Sequence, residues 1–106
     1  MPQKEQPNVL PLEGEIDLHV SPEVAESLRT MTAKKPQRLV VDLTKVTYLD
    51  SSGLAVLIEG MQNVQEYGGK FAVAGAQESV KHIFEIARLD QVFLIFPTVD
   101  EALAAN

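Results

Sequence analysis

Short apolar segments alternate regularly with longer amphipathic ones along this sequence, a pattern that few folds can accommodate. Residues 39–43, 70–75 and 92–96 are short and mostly apolar, which is typical of strands covered on both faces. Residues 52–67 and 77–88 carry apolar side chains at helical spacing, and Thr98 is predicted to cap a last helix. Strands that alternate with helices in this way predict an α/β domain with a parallel or mostly parallel sheet.

The chain enters this alternation through a less regular segment. Pro11 has no amide proton, so it places the strand predicted around it at a sheet edge, or ends that strand. Residues 13–17 predict a turn that leads into a short extended piece. Ser21 is predicted to cap the first helix, because Pro22 suits the first helical position.

The length of 106 residues predicts one domain. Residues 1–8 are polar with two prolines and are predicted to form a flexible arm, and residues 9–106 the domain. No apolar run approaches the roughly 20 residues that span a bilayer, and the first residues lack the apolar core of a signal peptide. We therefore expect a cytoplasmic protein without direct membrane insertion.

Composition excludes several classes of function. The absence of cysteine excludes disulfides, thiol chemistry and zinc–cysteine sites. Nine Lys and Arg against 15 Asp and Glu give a net charge of −6, which argues against nucleic-acid binding. His19 and His82 are isolated, and neither a Gly-x-Ser-x-Gly elbow nor a glycine-rich phosphate loop occurs. We expect no enzyme, catalytic residue, metal, cofactor or small-molecule substrate.

The most informative segment is the turn at residues 49–54, where a buried strand is followed by a helix. Open α/β sheets place ligands outside the carboxyl ends of their strands, and the start of a helix favours anions. Asp50, Ser51 and Ser52 precede the helix, and Gly53 keeps side-chain bulk away from the turn. Helix capping alone explains such residues. One cap is sufficient, however, so a further hydroxyl is expected to be exposed there.

The helix that follows this turn has an apolar face and a second, mixed stripe. The first is predicted to face the core: Leu54, Leu57, Ile58, Met61 and Val64. The second contains Val56, Gly60, Asn63 and Tyr67, with Glu59 beside it. Because one helix on a sheet buries one face, Val56 and Tyr67 are expected to be partly exposed. Scattered exposed apolar residues are normal, but the position of this stripe behind Ser51 indicates a docking surface.

Five segments occur in the order and spacing of a known family. They are residues 14–17, 39–43, 48–54, 68–70 and 87–89, which read Gly-Glu-Ile-Asp, Leu-Val-Val-Asp-Leu, Tyr-Leu-Asp-Ser-Ser-Gly-Leu, Gly-Gly-Lys and Ala-Arg-Leu. Over about residues 9–104 the chain resembles STAS domains, the sulfate transporter and anti-sigma factor antagonist domains, and most of all the free-standing bacterial antagonists. The resemblance implies one layer of about four to five mixed, mostly parallel strands with helices packed on it.

The resemblance also implies a function and a site. In such antagonists a partner anti-sigma factor that is a serine kinase phosphorylates the serine after the Asp, and a phosphatase reverses this; here that serine is Ser51. Asp17 and Asp50 would line the site, and Ser52 and Gly53 would shape the turn. The unphosphorylated form would bind the anti-sigma factor through the turn and the next helix. The helix residues expected at that contact are Leu54, Val56, Glu59, Gly60, Asn63 and Tyr67.

A second interpretation stays open. The same fold occurs as a non-catalytic subunit of membrane transport complexes, such as phospholipid ABC transporters, where the helix after the turn would dock on the ATPase. Two features depart from the pattern of the phosphorylated antagonists. Ala55 stands where they usually have glycine, and the first strand region is short and interrupted by Pro11.

Overall fold

The computed structural model describes residues 8–105, so most of the predicted arm, residues 1–7, lies outside the described part. Four strands and four helices alternate along it. In chain order they are β1 (Val9–Ile16), α1 (Ser21–Thr32), β2 (Arg38–Leu49), α2 (Ser51–Glu66), β3 (Lys70–Ala74), α3 (Glu78–Ile86), β4 (Leu94–Phe96) and α4 (Val99–Ala104). The predicted α/β alternation is confirmed.

The four strands form one sheet in the order β1-β2-β3-β4, and every neighbouring pair is parallel. β2 is the long inner strand, and Leu39, Val40 and Val41 on it are completely buried. This confirms the prediction that residues 39–43 form a strand covered on both faces. Because all strands run the same way, their carboxyl ends lie at one edge of the sheet, and the turn at residues 49–54 begins there.

The two faces of the sheet are covered unequally. On one face α1, α2 and α3 enclose the main core, to which they contribute Leu28, Leu57 and Phe84. On the other face, within residues 8–105, only the short α4 packs, with Ala102 against Val40. The helix that follows the serine turn therefore lies in the more heavily covered layer, next to α1.

Two predictions about the beginning of the chain are wrong in detail. β1 does not stop near Pro11 and turn at residues 13–17; it continues as an edge strand of eight residues to Ile16. Its register against β2 shifts between Pro11 and Glu13 and again after Gly14, whose φ is +78°. The predicted edge position of Pro11 is confirmed, because β1 is the outermost strand in the sheet order. The turn residues are absorbed as irregularities within one strand.

The predicted cap of the first helix is also wrong. Val20 occupies the N-cap position, and Ser21 is the first helical residue and caps nothing. The Asp17 carboxylate accepts hydrogen bonds from the amides of His19 and Val20 instead, at 3.0 and 3.2 Å.

Two elements near the end of the chain are shorter than predicted. The helix predicted over residues 77–88 ends at Ile86, before a turn in which Arg88 has a φ of +63°. The strand predicted over residues 92–96 begins only at Leu94. Thr98 caps α4 as predicted, accepting the amide of Glu101.

Across residues 8–105, none of the helices is both long enough and apolar enough to cross a membrane.

Candidate functional site

The serine turn lies where the carboxyl ends of β1 and β2 meet. The amide of Asp50 donates to the carbonyl of Ile16 at 3.2 Å, so the residue that follows β2 is bonded to the last residue of β1. Gly53 is buried against the same carbonyl, and a Cβ atom there would approach that oxygen to 2.7 Å. The predicted role of Gly53 has a specific cause: the first turn of α2 rests directly on the end of β1.

Asp50 is the N-cap of α2. Its backbone is extended (φ −95°, ψ −173°), and its carboxylate accepts the Gly53 amide at 3.0 Å and the Ser52 hydroxyl at 2.6 Å. The Ser52 hydrogen bond, followed by the Gly53 amide, lowers the pKa of Asp50, and the Leu18 amide contributes in the same direction. Asp50 is therefore ionised at neutral pH and fixed in orientation.

Ser52 is held from a second side. The hydroxyl of Ser21, on α1, donates to the Ser52 hydroxyl at 3.1 Å. Ser52 is half-buried and Ser21 is buried. The two helices are thus joined at their first turns by a side-chain hydrogen bond that sequence reasoning missed. The sequence signal, a serine next to Pro22, is indistinguishable from an ordinary cap.

Ser51 differs from both of these serines. It is exposed, and among residues 8–105 no group forms a hydrogen bond with its hydroxyl. It is the first residue of a helix of 16 residues, where amide groups without helical partners and the helix dipole favour negative charge. The expected extra hydroxyl at this edge of the sheet is therefore present, and it is that of Ser51.

The loop between β1 and α1 lies beside this turn. Asp17 is half-buried, and its carboxylate is engaged by loop amides, so it contributes negative charge close to the turn with a fixed orientation. The next residue, Leu18, is 69% exposed, although its backbone amide points to Asp50. The sequence analysis did not identify this large exposed apolar side chain on the loop beside the turn. The only signal was a leucine in a short polar connection.

The second stripe of α2 is less exposed than expected for a helix that packs only against a sheet. Gly60 is buried, and a Cβ atom there would meet the side chains of Leu28 and Phe71 at 3.1 and 3.2 Å. Tyr67 is half-buried, and its hydroxyl donates to the Pro36 carbonyl at 2.8 Å. The reason is that α1 packs against α2, so α2 buries two sides, one on the sheet and one on α1.

The remaining helix residues named from the sequence stay accessible to different degrees. Leu54, Val56 and Asn63 are half-buried. Glu59 forms an ion pair with Arg29 of α1 at 3.3 Å, with both side chains about half exposed. The side chains accessible near Ser51 are therefore those of Leu18 and the first two turns of α2, whereas Gly60 is buried and Tyr67 is half-buried.

Ala55, which departs from the resembling family's usual glycine, is exposed on α2. The methyl group of Ala55 is exposed to solvent, and the residue lies within the regular helix α2.

Comparisons with known proteins agree with this geometry. The model of the STAS domain family matches residues 1–102. The chain is 32% identical over 82 residues to the anti-sigma-B factor antagonist of Listeria monocytogenes, covering 77% of this chain and 72% of that protein. It is 32% identical over 95 residues to the anti-sigma-F factor antagonist RsfB of Mycobacterium tuberculosis, covering 90% and 77%. A solved anti-sigma factor antagonist from Mycobacterium paratuberculosis matches with a TM-score of 0.83 at 28% identity, covering 94% and 86%.

Proposed function

The chain belongs to the STAS domain family, and on that premise we propose that it is an anti-sigma factor antagonist controlled by phosphorylation of Ser51. Unphosphorylated, it binds an anti-sigma factor that is also a serine kinase; phosphorylated, it is released, and a phosphatase restores the binding form. It acts in the cytoplasm as a binding protein and as a substrate, not as an enzyme. The observation that carries the proposal is the exposed, unbonded hydroxyl of Ser51 beside the fixed carboxylate of Asp50.

The start of α2 suits a phosphate group. Phosphorylation adds about −1.5 to −2 charges at neutral pH. At Ser51 this charge would lie at the positive end of a helix, next to amides that have no helical acceptor. We therefore expect phosphorylation to leave the fold intact, so the control acts on binding and not on folding.

The same phosphate would oppose binding of an acidic surface. Asp50 is already ionised at this position, and Asp17 lies on the adjacent loop. Unit charges about 4 Å apart interact by about 4 kcal/mol at an effective dielectric constant of about 20. A penalty of about 3 kcal/mol weakens binding more than a hundredfold. Repulsion of this size releases a partner without a conformational change in the STAS domain.

Leu18 and the exposed side of the first two turns of α2 form the proposed partner surface. Leu18 is 69% exposed, and Leu54 and Val56 are half-buried on the helix that begins at Ser51. Apolar anchors next to the site of charge change would place the phosphate at the contact, where water is excluded and repulsion is strongest. Gly60 is omitted from this surface because it is buried, and Tyr67 contributes mainly to packing.

Phosphorylation by the anti-sigma serine kinase of the same genome tests the proposal. The purified chain is incubated with that kinase and ATP, and the product is analysed by intact mass and by phosphopeptide mapping. We expect one phosphate, on Ser51, with Ser51→Ala unlabelled and Ser52→Ala, the neighbouring control, still labelled. Absence of label on Ser51 would contradict the proposal. Co-purification from the host with a transporter ATPase in place of an anti-sigma factor would favour the transport-complex alternative.

A further inference from the structure

Ser21 is buried without serving the helix to which it belongs. Among residues 8–105 it is the only polar side chain in the buried class, with 4% of its surface exposed. It stands in the first turn of α1 but caps nothing there. Alanine has the highest helix propensity and no polar group to bury, so packing and helix formation alone do not account for a serine here.

The Ser21 hydroxyl begins a chain of hydrogen bonds that ends at Asp50. Ser21 donates to Ser52 at 3.1 Å, and Ser52 donates to the Asp50 carboxylate at 2.6 Å. A hydroxyl has one proton and two acceptor positions. The proton of Ser52 and one acceptor position of its oxygen are therefore used inside the protein, whereas Ser51 next to it uses neither within the described residues.

We infer that Ser21 is a specificity-determining positioning residue, which acts through Ser52 to direct phosphorylation to Ser51. The inference rests on the proposed function. In the transfer, the Ser51 oxygen forms a bond to the γ-phosphorus of ATP while the bond from that phosphorus to the β,γ-bridging oxygen breaks. ADP leaves, and the hydroxyl proton passes to the kinase's base or to water. Ser51 reaches this state without losing any hydrogen bond to the described residues.

Ser52 would lose two hydrogen bonds in the same reaction. Its oxygen would have to release Asp50 and turn away from the buried Ser21 hydroxyl, which would then be left without an acceptor. The cost of an unpaired buried hydroxyl is larger than the net contribution of a typical hydrogen bond. The two adjacent serines thus differ in reactivity because of a residue 31 positions away from Ser52 on another helix.

Ser21→Ala tests this inference, and Ser27→Ala is its matched control because Ser27 is an exposed serine of the same helix. Both variants are phosphorylated with the anti-sigma serine kinase of the same genome and ATP, and the fraction of phosphate on Ser52 is measured by phosphopeptide mapping. Removing the Ser21 hydroxyl removes the cost of leaving it unpaired, which favours transfer to Ser52 by about 5- to 150-fold. We expect phosphate on Ser52 to become detectable in Ser21→Ala and to stay absent in Ser27→Ala, as in the unchanged chain.

Three further measurements separate positioning from a merely structural role. Ser51→Ala should take no label, and the double variant Ser51→Ala/Ser21→Ala should take label on Ser52. The pKa of Asp50, followed by NMR of its side-chain carboxyl, should rise in Ser21→Ala but not in Ser27→Ala. Ser21→Thr, which keeps the hydroxyl, should again carry phosphate on Ser51 alone. If Ser21→Ala does not fold, Ser21→Cys, nearly the same size and a weak donor, replaces it with the same expected result.

The outcomes distinguish this inference from the proposed function. Label on Ser51 alone in both Ser21→Ala and Ser27→Ala overturns the inference and leaves the proposed function standing. Label on Ser52 in the unchanged chain also overturns the inference. No label on either serine in the unchanged chain overturns the proposed function, and the inference with it.

Discussion

The α-carbon of Gly53 lies so close to the end of β1 that a Cβ atom would stand 2.7 Å from the carbonyl oxygen of Ile16. The same carbonyl accepts the amide of Asp50. The serine turn is thus supported from below by backbone, not by a flexible side chain that could move aside. These contacts set the position of the first turn of α2, which includes Ser51, relative to the end of β1.

Gly53→Ala should destabilise the domain by about 1–3 kcal/mol, because the new methyl group forces the helix start away from β1. The free energy of unfolding, measured by urea denaturation, checks this. Ser51→Ala, two residues earlier and exposed, is the control and should change stability by no more than about 0.5 kcal/mol. Equal stabilities of the two variants would show that the turn is not held by this contact.

Ser51→Asp should weaken binding to the host's anti-sigma factor by about a hundredfold, because it places a negative charge beside the ionised Asp50. Ser51→Ala should bind within about threefold of the unchanged chain, since it removes a hydroxyl without adding charge. Calorimetric titration of each variant with the purified anti-sigma factor provides the measurement. Similar losses in both variants would point to a requirement for the hydroxyl itself and not to charge.

Leu18→Ser should reduce affinity for the same anti-sigma factor by at least about tenfold, the effect typical of an apolar anchor. Ile86→Ser is the matched control, because Ile86 is 71% exposed against 69% for Leu18 but lies at the end of α3. Both variants should keep the stability of the unchanged chain. Equal affinity of both variants would remove the β1–α1 loop from the partner surface.

Asp50→Ala should lower stability at neutral pH, and the loss should depend on pH. The folded pKa of Asp50 lies below its ordinary value of 3.8, so its ionised form stabilises the fold. That contribution is complete above the unfolded pKa and disappears as pH falls through the lower folded pKa. Urea denaturation at pH 7 and below pH 3.8 should show the gap between the two proteins narrowing in acid. Asp90→Ala, an exposed aspartate before β4, is the control.

Tyr67→Phe should reduce stability by about 0.5–1.5 kcal/mol, because it removes the hydrogen bond to the Pro36 carbonyl while the ring is retained. Burial raises the pKa of the Tyr67 hydroxyl. The hydroxyl therefore keeps its proton, and can donate this hydrogen bond, up to a higher pH than the hydroxyl of an exposed tyrosine. Anti-sigma factor affinity, measured alongside urea denaturation, should not change. If Tyr67→Phe lowers the affinity for the anti-sigma factor without lowering the free energy of unfolding, Tyr67 is part of the partner surface.

Much of the fold could be predicted because its signals are local. The completely buried Val40 and Val41 lie in a short apolar run, and α2 was predicted within one residue of its observed start because Asp50 and Ser51 are typical of helix starts. An exposed hydroxyl at this turn also follows from counting, since one cap satisfies the helix start and a further hydroxyl is left over; that it belongs to Ser51 came from the family resemblance. These features depend on residues within one turn or strand, which the sequence displays directly.

The local pattern of residues was therefore enough to predict the alternation of strands and helices and an extra hydroxyl at the start of α2. The contacts that distinguish Ser51 from Ser52 arise only when the elements pack together. Ser21 bonds to Ser52 and not to its own helix, Gly60 is buried by Leu28, and β1 extends through its predicted turn. Each of these depends on residues that are distant in the chain and meet only when α1 packs on α2 and β1 pairs with β2. The Ser21 hydroxyl could form its hydrogen bond either with its own helix as a cap or with a distant residue. Its own sequence neighbourhood does not distinguish the two, and the packing of α1 on α2 brings Ser52 within reach.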